Sequence, residues 1–245
     1  SFNSFKTPAR LMSAAGIAIT LSVAAVAQCP PAPSGWVAAF EGPADEQALN
    51  NTVGALGTWD PDGSGPLPPR LIVGGSFTLA GATAANRVAQ WDGSSWQTFG
   101  VGISTGSTSV AMGWDPDDSG PLAPQPAFGG FFTSIGGVTT RNIAHWDGAA
   151  WQPFASGTTD SAGLPDVYAM TTWDADGAGP GLRRLVIGGD FTVAGGASRR
   201  RIAMWDGAAW QGFGTAFNDS VYCLTTWDPD GAGPLNDHVI AGGFF

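Results

Sequence analysis

Pairs of aspartates separated by one residue recur four times along the chain, at Asp60 and Asp62, Asp115 and Asp117, Asp174 and Asp176, and Asp228 and Asp230. Small residues and a glycine follow each pair, as in Asp60-Pro-Asp62-Gly-Ser-Gly65. Carboxylates at the first and third positions of a sharp bend are how an oxygen-ligand loop for calcium opens. The loops then depart from that chemistry. Their fifth position is Ser64, Ser119, Ala178 or Ala232, and most copies bring no acid at positions nine to twelve. Two carboxylates with backbone carbonyls make a weak calcium site. The same residues also make an Asx turn, in which aspartate binds its own backbone. Calcium on these eight aspartates is therefore one reading and a purely structural turn the other; no further cofactor is expected.

Other chemistry is sparse. His145 and His238 are the only histidines, and they align with Gln90 and Met204, and with Arg70, Gln125 and Arg184. Neither position demands an imidazole, and a zinc site wants three or four converging ligands. Tyr168 and Tyr222 occupy equivalent positions in two copies and read as structural. No nucleophile elbow, phosphate loop or H-E-x-x-H run is present. Gly177-x-Gly179-x-Gly181 lies in a turn, without the strand-to-helix setting of a dinucleotide site. No catalytic residue is assigned.

The elements that carry these residues form a repeat of about 55 residues. Trp-Asp pairs stand at Trp59, Trp114, Trp173 and Trp227, and a Gly-Gly pair begins fifteen residues after each, at Gly74, Gly129, Gly188 and Gly242. Trp91, Trp146 and Trp205, each before Asp-Gly, follow at thirty-two residues, and Trp96, Trp151 and Trp210 five later. Short apolar stretches bounded by Gly, Pro and Asp predict four strands per copy, in the third copy Val167–Trp173, Arg184–Phe191, Arg201–Trp205 and Trp210–Phe213. Asp92-Gly93, Asp147-Gly148 and Asp206-Gly207 predict tight hairpins. Four antiparallel strands make a blade with two apolar faces, so copies must stack. The expected fold is an all-β propeller with the tryptophans in its core. Cys223, aligned with Ala55, Val110 and Ala169, is expected to be a small core residue.

The run Val-Ile-Gly-Gly-Asp-Phe-Thr-Val-Ala-Gly-Gly and then Arg-Ile-Ala-Met-Trp-Asp-Gly-Ala-Ala-Trp, Val186 to Trp210, resembles a kelch-type repeat. It is similar too to repeats of secreted bacterial surface proteins and fungal cortical markers. The resemblance covers roughly 49–245 and implies kelch-like four-stranded blades. It says little of function, since propellers host binding, scaffolding and catalysis alike. Integrin-type propellers hold calcium in comparable loops between strands. A WD-repeat reading is weaker because the Gly-His signature is missing. Copies are bounded at about 49–105, 106–166, 167–219 and a partial 220–245, about three and a half blades, and kelch-type rings of six or more blades predict a truncated ring.

Lys6 and Arg10 precede an apolar run from Leu11 to Ala27 that ends Ala-Val-Ala, which predicts a signal peptide over 1–27. A membrane anchor or buried helix is the alternative. Cleavage would leave Gln28-Cys29, and Gln28 argues against a lipid-anchored Cys29. Residues 28–48, with Trp36 and Phe40, are read as an outer strand of an incomplete blade. Beyond the leader, eight arginines face twenty acids, a net charge near −12. That excludes nucleic acid, whose phosphates need neutralising, and anionic membrane surfaces. Strand direction places the Asp-rich loops on one rim, with Arg87, Arg141 and Arg199 to Arg201 on the other. The joint Ala155–Asp166 departs most from the repeat and emerges on the arginine rim, the preferred ligand face. The expectation is a secreted or cell-surface, non-catalytic binding or structural module for a protein or glycan. The alternative is a carbohydrate-active hydrolase or oxidase with its catalytic residues in unique loops or missing blades.

Overall fold

The computed structural model describes residues 48–245 apart from 119, 162, 164, 177–181, 215 and 232–234. The leader, Cys29, the outer strand expected over 28–48 with Trp36 and Phe40 (all but residue 48), and the Gly177 to Gly181 motif therefore lie outside the described residues. All elements described are strands. Three four-stranded antiparallel sheets follow one another along the chain. Their strands are Val53–Trp59, Arg70–Gly75, Val88–Trp91 and Trp96–Thr98; then Ser107–Trp114, Gln125–Phe131, Ile143–Trp146 and Trp151–Pro153; then Val167–Trp173, Arg184–Gly189, Ile202–Trp205 and Trp210–Gly212. A fourth, two-stranded sheet pairs Val221–Trp227 with His238–Gly243. In each four-stranded sheet the spatial order is the chain order, as expected for consecutive hairpins.

Registers fix the two ends of every sheet. Trp59 pairs with Arg70, Leu71 with Trp91, and Trp91 with Trp96, so the Asp60 loop and the Asp92 turn leave at one end. The connection from strand two to strand three leaves at the other, with the joints between sheets. That connection holds a two-residue hairpin absent from the sequence-based expectation, Leu79–Ala80 with Thr83–Ala84 and its equivalents. A glycine at positive φ turns each one, and its amide donates to the preceding joint, as from Gly136 to Gly102 O (2.8 Å) and Gly195 to Gly157 O (2.9 Å). In the third sheet the joint becomes a strand, Thr158–Thr159 paired with Val193–Ala194.

Packing runs between sheets. Phe99, Ile103 and Ile72 of the first meet Ala111, Phe128 and Trp151 of the second, and Phe154 and Ile143 meet Val167, Leu185 and Ile187 of the third. Trp151 donates its indole N–H to Phe99 O (2.8 Å) and Trp210 to Phe154 O (3.0 Å), so each locks onto the preceding sheet. Trp91, Trp146 and Trp205 each meet the tryptophan across their hairpin in a tilted or edge-on contact at 5.2–5.5 Å. Trp91 and Trp205 are buried as expected, but Trp146 is only half-buried. Cys223 corrects the expectation outright. It is exposed, because it lies on a face of the fourth sheet that no described residue covers, whereas Ala55 and Ala169 face a neighbouring sheet.

The Gly-Gly pairs have two separate causes. A Cβ on the first glycine would strike the next sheet's first strand: Thr108 Oγ1 at 2.1 Å from Gly74, Val167 Cγ1 at 2.8 Å from Gly129, Val221 Cγ1 at 2.6 Å from Gly188. A Cβ on the second would strike a carbonyl of its own sheet: Thr52, Ser107, Asp166 or Ser220, at 2.0–2.4 Å. That carbonyl comes close because each first strand carries a β-bulge, between Val53 and Ala55, Thr108 and Val110, Val167 and Ala169, and Val221 and Cys223. A bulge adds one unpaired residue and re-aims its side chain.

Candidate functional site

The aspartate loops are occupied by their own backbone. Asp60 Oδ1 accepts the Asp62 amide at 3.2 Å, and Asp62 Oδ2 the Leu67 amide at 3.0 Å. Asp115 and Asp117 do the same toward Asp117 and Leu122, Asp228 and Asp230 toward Asp230 and Leu235, and Asp174 accepts from Asp176. Gly65 and Gly120 are required here, since a Cβ would lie 2.1–2.2 Å from the Asp62 or Asp117 carboxylate. Among the described residues no group of three or more His, Cys, Asp or Glu side chains is arranged to hold a metal ion. With these carboxylate oxygens turned to backbone amides, millimolar calcium is expected to leave the melting temperature unchanged. A rise of several degrees, reversed in Asp62→Asn, would establish the calcium reading, because a specific ligand stabilises by mass action.

The hairpin aspartates behave alike. Asp147 Oδ1 accepts the amides of Ala149 and Ala150 at 2.9 and 2.8 Å, and Asp206 those of Ala208 and Ala209 at the same distances. These bonds hold both carboxyls below the usual carboxylate range. The two histidines stay outside any cluster. His145 packs edge-on against Trp114 and close to Phe154, and burial pushes its pKa down to about 4, so it is a neutral core residue. His238 lies beside Trp227. At the aspartate end Trp114, Arg183, Arg184 and Trp205 border a cleft of about 120 Å³, small for a ligand pocket.

The opposite end is different. The four bulge residues are Gly54, Ser109, Tyr168 and Tyr222, one per sheet. The backbone feature is common to all copies and the side chain is not. Because successive first strands lie against each other, these residues form a row. Tyr168 and Tyr222 stack with ring centroids 4.9 Å apart, and Tyr222 meets Phe244 edge-on at 5.3 Å. Ser109 donates its hydroxyl to Asp166 Oδ2 at 3.0 Å, from one sheet to the next. Asp190 closes the group: its Oδ1 accepts the Asp166 amide at 2.6 Å, and its Oδ2 the Tyr168 hydroxyl at 3.3 Å.

Electrostatics sets this row apart from the turns. Burial, with the neighbouring Asp190 carboxyl adding to it, pushes the Asp166 pKa up to about 7 against the bond from Ser109. Its Oδ1 is shielded from solvent and has no hydrogen-bond partner. Burial and the same two acids raise the Tyr168 phenol, keeping it a hydrogen-bond donor. The site thus offers a carboxyl that exchanges a proton near neutral pH, a second carboxyl, two hydroxyls and partly exposed aromatic rings. Two of the arginines expected to charge this end are spent on structure. Arg87 donates to Gly106 O and Ile103 O, both at 2.7 Å, and Arg201 donates to the Asp190 carbonyl.

Ala155–Asp166 ends in this cluster, so the segment singled out in the sequence does supply one of its acids. Asp190 and Ser109 escaped notice, and equivalence made Tyr168 and Tyr222 look structural. A signal was present. Reading the copies in register shows Gly, Ser, Tyr and Tyr at the bulge, and Ser76, Phe131, Asp190 and Phe244 across from it, while the Gly-Gly pair before these and Phe77, Phe132, Phe191 and Phe245 after them are kept. Family models, curated proteins and solved structures return no match to this chain.

Proposed function

We propose that the stacked sheets are blades of a kelch-like β-propeller exported from the cell, and that the chain is a non-catalytic binding or structural module for a protein or glycan outside the cytoplasm. Export rests on the basic residues and apolar run of Lys6 to Ala27. Partner choice rests on one observation: the bulge is kept in every copy while its side chain changes, and the residues that break the repeat gather at one end. Most polar groups that obey the repeat bond to the backbone of their own turns. Ligand binding is the usual work of variable residues held on an invariant scaffold.

The test is binding of the full chain to arrays of extracellular proteins and glycans, with folding checked by thermal melting. The expected result is a ligand whose affinity falls at least tenfold in the double variant Tyr168→Ser, Tyr222→Ser and is kept in Asp230→Asn at the other end. A ligand indifferent to the double variant would overturn this choice of face. One observation favours a second reading, a carbohydrate-active enzyme. Asp166, with its raised pKa beside Asp190, has what a general acid needs. Turnover of glycosidic substrates, lost in Asp166→Asn, would replace the binding module by that enzyme.

A further inference from the structure

The bulge row has a composition that selects among ligand chemistries. Tyr222 is 44% exposed and Phe244 75%, and their rings meet edge-on, so an apolar corner of two rings faces solvent beside polar groups. Phe131, 40% exposed, stands in the second sheet where Asp190 stands in the third. Within the same cluster are the Ser109 and Tyr168 hydroxyls and the Asp166 and Asp190 carboxyls. An anionic ligand would meet two carboxyls. A cationic one would meet the Arg201 guanidinium, which is bonded to the Asp190 carbonyl itself. What remains is a neutral molecule with both an apolar face and many hydroxyls.

We infer that the bulge row is a carbohydrate subsite, taking the face of a neutral sugar ring against one of the two rings, Tyr222 or Phe244, with the other ring at its edge, and its hydroxyls on Ser109, Tyr168 and Asp190. A pyranose ring has an apolar face of C–H groups that packs on an aromatic ring, and equatorial hydroxyls that both donate and accept. Asp190 Oδ2, held by a single long bond from Tyr168, keeps lone-pair capacity for such a hydroxyl. The inference rests on the binding-module reading and narrows it to one ligand class.

The probes are soluble β-1,3-glucan, xylan, galactomannan and chitin hexamer as neutral saccharides, with polygalacturonate and polylysine as charged polymers. Affinity electrophoresis and calorimetry of the full chain are expected to show binding to at least one neutral saccharide and none to polylysine. Tyr222→Ala, at an exposed side chain, should weaken it roughly tenfold, about the value of one well-placed aromatic contact. Ser109→Ala should weaken it less; it also removes the bond to Asp166, so both variants are compared under conditions where each still gives a cooperative melt well above the assay temperature. Absence of binding to every neutral saccharide overturns the inference, as does binding that survives Tyr222→Ala or is confined to a charged polymer. If the arrays yield a protein ligand sensitive to the Tyr168/Tyr222 double variant while no saccharide binds, the module reading stands and the sugar class falls.

Discussion

Gly57→Ala is expected to destabilise the protein by roughly 3 kcal/mol or more, a large effect for one methyl group. Gly57 lies in the first strand of the first sheet, against the first strand of the second. A Cβ there would sit 2.4 Å from Ala111 O and 2.9 Å from Ala111 C. Both are backbone atoms, so no rotamer change relieves the clash. Nor can either strand yield alone. Leu56 and Thr58 are in register with Val73 and Leu71 on one side, and Ala111 with Phe128 on the other. Gly113 repeats the close approach from the second sheet, 2.8 Å from Thr58 O. Gly148→Ala is the control. It sits in a hairpin at φ 99° with nothing within 4 Å of a Cβ, and pays only the strain of a positive φ, about 1–2 kcal/mol. Denaturant melts of the two variants separate the effects. If Gly57→Ala costs no more than Gly148→Ala, the first strands are not in backbone contact.

Asp166→Asn should have the opposite sign, and only at neutral and alkaline pH. In the unfolded chain this carboxyl titrates near 4; in the folded protein its pKa is about 7. Below pH 4 both states hold the proton and the term is fully present. Between pH 4 and 7 the unfolded state ionises while the folded state does not, so stability falls as pH rises. Above 7 both are ionised and the slope vanishes. With about 1.4 kcal/mol for each pH unit, and Asp166 only partly buried, the loss should be roughly 2 kcal/mol. Asparagine carries no charge and escapes it. The variant is therefore expected to match wild type at pH 4 and to exceed it by about that amount at pH 8. Titrations of other acids are common to both proteins and cancel in the difference. An equal difference at both pH values would mean that folding does not shift this proton. A residue that lowers stability at neutral pH, beside a bulge, fits a site kept for a ligand.

The repeat and its strands were legible because they rest on local rules. Tryptophan and glycine spacing set strand lengths, and Asp-Gly demanded the hairpins where Gly93, Gly148 and Gly207 take φ of 99–100°. The burial of most tryptophans followed from the same lattice. Three things did not follow. The two-residue hairpins are too short for an apolar pattern to reveal. Cys223 copied a core position in sequence, yet its exposure depends on which sheet covers it. The bulge leaves no local mark, because its residues are glycine in one copy, serine in another and tyrosine in two.

By itself the sequence determined an all-β chain of repeating antiparallel hairpins, with aspartate loops at one end of the sheets and joints at the other. Turn chemistry and period-two patterning act over a few residues, so they can be read along the chain. Only the tertiary structure decided that Ser109, Asp166, Tyr168, Asp190 and Tyr222 form one group. They come from three sheets, and Ser109 reaches Asp166 across 57 positions of chain. It also decided that Asp166 holds its proton near neutral pH while Asp147 and Asp206 do not. All are aspartates. Backbone amides solvate two of them at exposed turns, whereas stacking of the sheets removes water from the third and sets a second carboxyl beside it.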